Sequence, residues 1–500
     1  MDASESFERT ETSLKALMQT LHTVLKSVGA EDVALHLPWR PLWDPGADGH
    51  NESIADLGDD KAEAYLQAYS IAFQLLNTAE ENATAQHRRA LEDARRLIHE
   101  SGSWDHAFAR ADAAGLSASE QADILAQVRI EPVLTAHPTE AKRQTVLEHH
   151  RELYRCLVEL ENTMWTQSER EALQEQVAAC LERLWRTGEI YLDKPSIADE
   201  RRSVLHYLRH VFPGALAWTD RRLRAAWAQA GHDPTLLQHA QQLPRIALGN
   251  WVGGDRDGHP GVTANVTAQT LTLFRHTALN LIDEHLTRLA QHLSLSARRQ
   301  AVPDSIQARV AALESKLGDH GLAARKRNPA ETWRQLVNLL RASLPRDGAA
   351  PITTTAEALL DELQTLRNGL EQIGAERLVH HDVEPLIRHV QTFGFHLATI
   401  DVRQNSAFHD RALAQLLELA KIPEGADYPT WDEPRRRAML DAELQSPRPF
   451  ALRHDVQGTE ARAVLDVFAV LAKHLNRHGS AGLGALIVSM TRSVEDLLAA

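Results

Sequence analysis

Hydrophobic residues recur at three- and four-residue steps through most of the chain, the spacing that lays one apolar face along an α-helix. Leu14, Leu17, Met18, Leu21, Leu25 and Val28 form the first such stripe, which stops at Gly29. After a loop rich in Pro, Trp and Asp (Leu37 to His50), Tyr65, Leu66, Tyr69, Phe73 and Leu76 predict a helix that turns these residues to a core. Four stretches depart from the helical period. Val128, Ile130, Val133 and Leu134 make a short apolar run that contains Pro132, and Arg245 to Val252, Phe393 to Gln404 and Gly484 to Met490 are comparable runs. Each predicts a strand, and each leads through a polar corner into renewed helical spacing. Val146, Leu147, His150, Leu153 and Leu157 follow the first, Thr263 to Leu281 the second, Leu413, Leu416 and Leu417 the third, and Val494, Leu497 and Leu498 the fourth.

Strand, polar corner and helix in repetition, with chemically capable residues at the carboxyl ends of the strands, is the pattern of a (β/α) barrel. The predicted fold is mostly α with an α/β, TIM-like barrel core: about the first four barrel strands plus long helical insertions, completed by residues beyond 500. Residues 1–126 read as an N-terminal helical region and 127–500 as the half barrel with its insertions, with no independent second domain. The ending Leu497-Leu498-Ala499-Ala500 has neither cap nor polar tail, so these residues are expected to be the front part of a longer polypeptide.

Composition narrows the function classes. Hydrophobic residues at 43% and charged residues at 24% are those of a soluble globular chain. The formal net charge of -14 opposes attraction to nucleic acid or an anionic membrane, so neither is an expected partner, and an anionic substrate must meet a local basic pocket. Cys156 and Cys180 stand in no metal or redox spacing, which fits a reducing compartment. The acidic N-terminus is no secretory signal, and no window approaches the apolar length of a membrane span. A cytoplasmic location is expected.

The chemistry concentrates at the corners. The segment Gly249-Asn250-Trp251-Val252-Gly253-Gly254-Asp255-Arg256-Asp257-Gly258-His259-Pro260-Gly261 packs glycines around alternating charges, as a rigid loop lining a pocket or as a structural turn pinned by its own ion pairs. His137, in Thr135-Ala136-His137-Pro138-Thr139-Glu140, lies between strand and helix, where an imidazole suits general acid–base work. Arg403 is out of phase with Ile400 and Val402, so it presents its guanidinium fork either to a phosphate or carboxylate ligand or to Asp401 or another nearby acid. Arg256 leans structural, because Asp255 and Asp257 flank it. Lys142 and Arg143 supply positive potential beside His137 or are simply solvated. The doublets His149-His150 and His380-His381 read as surface decoration. Walker, dinucleotide, His-Glu-x-x-His, Cys-x-x-Cys and serine-elbow motifs are missing from the sequence.

Taken in order, the corner at His137, the loop Gly249 to Pro260, the stretch Phe393 to Gln404 and Ile487-Val488-Ser489-Met490 resemble signatures of phosphoenolpyruvate carboxylases. Phe73 to Glu80, Leu184 to Arg201 and Tyr428 to Phe450 resemble further family segments, so the likeness spans most of the chain. The resemblance implies a (β/α)8 enzyme, usually a homotetramer, that uses Mg²⁺ or Mn²⁺ to make oxaloacetate and phosphate from phosphoenolpyruvate and bicarbonate. It implies catalysis through carboxyphosphate and pyruvate enolate. His137 then matches the catalytic histidine, Arg403 an arginine on the phosphate oxygens, and Trp251 an apolar wall around enolate and CO₂. Arg256 and Arg143 join it as substrate-binding residues, and Gly253, Gly254, Asp255 and Asp257 brace the loop.

No metal ligand is expected among residues 1–500. The family's metal-binding acids, catalytic lysine and Gly/Arg phosphate loop lie in the part that would follow, so residues 1–500 alone are expected to be inactive. Ala141-Lys142-Arg143, Gly188, His259 and Thr491-Arg492-Ser493 depart from the family pattern and indicate a divergent branch. Two alternatives stay open: another barrel lyase or phosphotransferase acting on an enol phosphate or keto acid, and a non-catalytic helical scaffold derived from the carboxylase.

Overall fold

A computed structural model describes residues 3–44, 59–135, 144–188, 196–257, 261–345, 353–447, 450, 456 and 459–500. Its contacts divide the chain into two compact units, Met1–Ala113 with Pro138–Pro195, and Ala114–His137 with Ser196–Ala500. The division is discontinuous in sequence and does not fall at residue 126, because the helices that follow the first strands share a core with the N-terminal ones.

In the first unit the helices Ala3–Ser27, Asp59–Asp93, Gln144–Leu160 and Gln167–Thr187 pack around Met18, Leu21, Ile71, Leu75, Leu153 and Leu181, all 0% exposed. Burying each such side chain contributes about 1.5–3 kcal/mol. Thr166 and Glu169 form a reciprocal capping box that starts the helix Gln167–Thr187. The stripe expected on Asp59–Asp93 is rotated. Tyr65, Ala68, Ala72, Leu75 and Ala79 face the core, while Leu66 and Phe73 are 58% and 52% exposed. Small alanines let this helix approach Ala3–Ser27 closely, and Phe73 instead packs edge-on to Trp39 at 5.0 Å.

The second unit is organised by short parallel strands: β1 (Arg129–Ile130), β2 (Val133–Leu134), β3 (Arg245–Ile246), β4 (Gly249–Asn250), β5 (Thr399–Asn405) and β6 (Leu483–Ser489). β1 pairs with β3, and β2, β4, β5 and β6 pair in that order. The four expected strand stretches therefore lie side by side in chain order, joined by helices. Pro132 separates β1 from β2, having no N–H to give a ladder, yet its carbonyl accepts from Gly249 N at 3.0 Å. The third stretch is shorter than expected. Phe393 closes the helix Glu384–Phe393, Gly394 takes φ +50°, and the strand begins only at Thr399.

Between β4 and β5 an all-helical insertion buries Leu286, Ile306, Trp333, Leu336, Leu340 and Leu363 in a core of its own. Two π-turns, Tyr207–Val211 and Val379–Val383, interrupt its helical surroundings, each just ahead of a proline, Pro213 or Pro385, that cannot donate to the preceding turn. The described helices include none long and apolar enough to cross a membrane.

Candidate active site

The carboxyl ends of β4, β5 and β6 bring one charged cluster together. Side chains on β5 alternate, with Ile400, Val402 and Gln404 buried and Asp401, Arg403 and Asn405 half-buried on the opposite face. Beyond β4 the chain turns: Asn250, fully buried, donates through Nδ2 to Val252 O (2.8 Å) and accepts from Val252 N (3.2 Å). It then runs beside β5 as a strand extension, Arg403 N donating to Gly254 O (3.1 Å) and Arg256 N to Arg403 O (2.9 Å).

This course demands its glycines. Gly253 adopts φ +83°, and a Cβ there would lie 2.3 Å from Thr270 Oγ1. A Cβ on Gly254 would lie 2.0 Å from the carbonyl oxygen of Asp401, a backbone atom that cannot swing aside. Gly254→Ala is expected to cost about 1–3 kcal/mol of stability, read as a lower melting temperature. An unchanged melting temperature would show that the loop is not seated against β5 in this way.

Because the extension also alternates, Asp255 and Asp257 point to one side and Arg256 to the other. The two aspartates clamp Arg403, with Asp255 Oδ2 3.1 Å from Nη1 and Asp257 Oδ2 2.9 Å from Nη2. Asp255 is buried, and Ser489 at the end of β6 donates to Asp257 Oδ2 at 2.7 Å. The Arg403 guanidinium lies 5.1 Å from the centroid of the Trp251 ring, within cation–π range. Trp251 Nε1 donates to Asp401 Oδ2 (3.0 Å), and Asp401 Oδ1 accepts from Ala485 N (2.7 Å). Arg403 thus pairs with the glycine-loop acids and not with Asp401.

Arg256 is not neutralised by its flanking aspartates, contrary to what their adjacency suggests. Its Nε donates to Val262 O (3.3 Å), its guanidinium lies 5.8 Å from the Phe408 ring, and burial pulls its pKa down. Among the described residues it has no ion pair. Burial and then Arg256 push the nearby His409 below the usual histidine range, so that ring is neutral at pH 7. His137 and Arg143, with Lys142, lie outside the described residues, as does His259. The structure therefore brings together Trp251, Gly253, Gly254, Asp255, Asp257 and Arg403, leaves Arg256 behind the loop, and adds Asp401 and Ser489. Asp401 was findable from the two-residue period it shares with Arg403; Ser489 lies in the run Ile487-Val488-Ser489-Met490, but nothing in that run tied it to Asp257.

The departure at Thr491-Arg492-Ser493 has a structural use. Arg492 and Arg436 both pair with Asp410 and Asp496, tying the segment after β6 to the helix Ser406–Leu419.

A hard divalent cation needs free oxygen ligands, and Asp255, Asp257 and Asp401 are all engaged as described. Elsewhere, among the described residues, His149, Glu152 and Cys180 bring ligand atoms within 4.8 Å of one another. Glu152 already pairs with Arg183 at 3.0 Å, and burial pushes the Cys180 thiol up to about 11. A protonated, soft sulfur suits neither Mg²⁺ nor Mn²⁺. Neither group therefore fits a site for either ion.

The sequence profile of the phosphoenolpyruvate carboxylase family matches residues 44–500. The chain belongs to this family. It is 33% identical over 450 residues to a phosphoenolpyruvate carboxylase of Methylorubrum extorquens, covering 87% of this chain and 48% of that protein. It is 32% identical over 464 residues to one from Aromatoleum aromaticum, covering 89% and 49%. With that of Xanthomonas oryzae pv. oryzae it shares 32% over 446 residues, covering 87% and 47%. The chain spans about half the length of the curated relatives it matches. As a phosphoenolpyruvate carboxylase family member it carries its glycine loop and Arg403 inside the matched region.

Proposed function

We propose that the full-length protein is a carboxy-lyase that converts phosphoenolpyruvate and bicarbonate to oxaloacetate and phosphate. In this reading the present chain supplies the first four strands of a (β/α)8 barrel and an arginine for the phosphoryl group. The carrying observation is the Arg403 fork, clamped by Asp255 and Asp257 beside Trp251 at the carboxyl ends of parallel strands. Such a fork is oriented before any ligand arrives, so little reorganisation accompanies binding.

Asp257, more exposed than Asp255, yields its place to a phosphate oxygen while Asp255 keeps the guanidinium aligned. A bicarbonate oxygen attacks phosphorus as the enol C–O oxygen departs with its electron pair, giving carboxyphosphate and pyruvate enolate. His137 takes the carboxyl proton, the C–O bond to phosphate breaks, and the released CO₂ accepts the enolate's methylene carbon. Trp251 covers the pocket and excludes water, which would otherwise protonate the enolate to pyruvate. Arg256 and Arg143 add positive potential around the substrate, although Arg256 stands behind the loop. Mg²⁺ or Mn²⁺ is held by residues outside these 500, the assembly is a homotetramer, and the location is cytoplasmic.

The test is phosphate release from phosphoenolpyruvate by the full-length protein. Stimulation by bicarbonate supports the carboxylase; release indifferent to bicarbonate points to another lyase or phosphotransferase, and no release points to a scaffold.

A further inference from the structure

The second unit holds a cavity of about 460 Å³ away from the Arg403 cluster, at the amino-end side of β3. Its volume lies in the range of small-molecule sites. The helices Phe212–Gln229 and Glu384–Phe393 form its walls, and the π-turn Val379–Val383 lines it through His380 and His381. The floor is apolar and closed: Leu216, Ala240 and Leu243 are buried there.

Charge around the cavity is asymmetric. Three guanidiniums, of Arg221, Arg224 and Arg388, face two carboxylates, of Asp220 and Glu384. Both carboxylates are already used. Asp220 takes a two-point contact from Arg388 at 2.8 and 3.1 Å, and Arg388 also donates to Pro244 O at 2.7 Å. Glu384 accepts from Ala240 N at 2.9 Å and lies near His239 and Arg367. Arg224 spends two of its five N–H groups on Leu237 O and Gln238 O and forms no ion pair among the described residues. Arg221 is exposed and has no hydrogen bond or ion pair to a described residue. A cationic rim thus persists on a chain whose net charge is -14.

The second observation is His389. It is 3% exposed, lines the cavity, lies against His285 with the ring centroids 4.5 Å apart and the planes tilted by 44°, and its Nε2 has no hydrogen-bond partner. Burial pulls its pKa to about 3 and that of His285 to about 4, so both rings are neutral at pH 7. An orphaned buried ring nitrogen is costly unless something fills the space beside it.

We propose that this cavity is a binding site for a small amphipathic carboxylate. Its head pairs with Arg221 and Arg224 at the rim, its apolar body lies over Leu216 and Leu243, and a hydrogen-bonding substituent reaches His389 Nε2. The proposal is independent of the carboxylase reading and uses none of its residues.

Titration of the full-length protein by calorimetry with 6-hydroxy-2-naphthoate, 2-naphthoate and 2-naphthamide tests it. The hydroxylated carboxylate is expected to bind tightest and the neutral amide about tenfold more weakly than 2-naphthoate. Arg221→Ala is expected to weaken both carboxylates and leave the amide unchanged. Ala217→Trp, at an exposed wall position, is expected to abolish binding of all three while the far-ultraviolet circular dichroism and melting temperature are retained. Equal binding of carboxylate and amide, carboxylate binding that survives Ala217→Trp or is untouched by Arg221→Ala, or no binding at millimolar probe would each overturn the proposal.

Discussion

Oxaloacetate formation by the full-length protein is expected to fall about 10²–10³-fold when Arg403 is replaced by lysine. Lysine keeps the charge but loses the planar fork. In the structure that fork reaches Asp255 and Asp257 at once, 3.1 and 2.9 Å away, and a single ammonium cannot span both while also meeting a phosphate. The loss should lie mainly in kcat, because the guanidinium is assigned to charge that develops as phosphoryl transfer proceeds. Steady-state kinetics with varied phosphoenolpyruvate separates the cases. A raised KM with unchanged kcat would reduce Arg403 to ground-state binding, and wild-type kinetics would remove it from the site. Asp257→Asn is the complementary variant. Its neutral amide holds Arg403 less firmly, so the inhibition constant for inorganic phosphate should fall while the melting temperature stays close to that of the parent.

His137→Ala is expected to lower oxaloacetate formation by about 10²–10⁴-fold, the range for removal of a positioned general base. His137 lies outside the described residues, so this expectation rests on its place in the sequence between β2 and the helix Gln144–Leu160. Its diagnostic is not rate alone. If His137 acts after phosphoryl transfer, the variant should still release phosphate from phosphoenolpyruvate in the presence of bicarbonate, with pyruvate appearing in place of oxaloacetate. Oxaloacetate formation at the parent rate would sink the assignment.

Much of the second unit's order was legible because its signals are local. A switch from helical spacing to a short apolar run located all four strand stretches, and the two-residue period set Arg403 opposite Ile400 and Val402. Partners were less legible, since they depend on which strands become neighbours. Adjacency suggested that Asp255 and Asp257 neutralise Arg256. Alternation in the extended loop sends them instead to Arg403, almost 150 residues away in sequence (|i−j| = 148 for Asp255). Phe73 and Leu66 show the limit of counting apolar residues on a helix: the buried face was the one with alanines, where the neighbouring helix comes close. The strand start at Thr399 was hidden because Phe393 and Phe395 are apolar for a different reason, both being buried beside a chain reversal through Gly394.

Bicarbonate labelled with ¹⁸O tests the central claim most directly. If its oxygen attacks phosphorus before CO₂ is released, turnover by the full-length protein must place one labelled oxygen in the phosphate and two in the new carboxylate of oxaloacetate. Phosphate that emerges without label, whether or not oxaloacetate forms, would contradict the proposed phosphoryl transfer and the role given to Arg403.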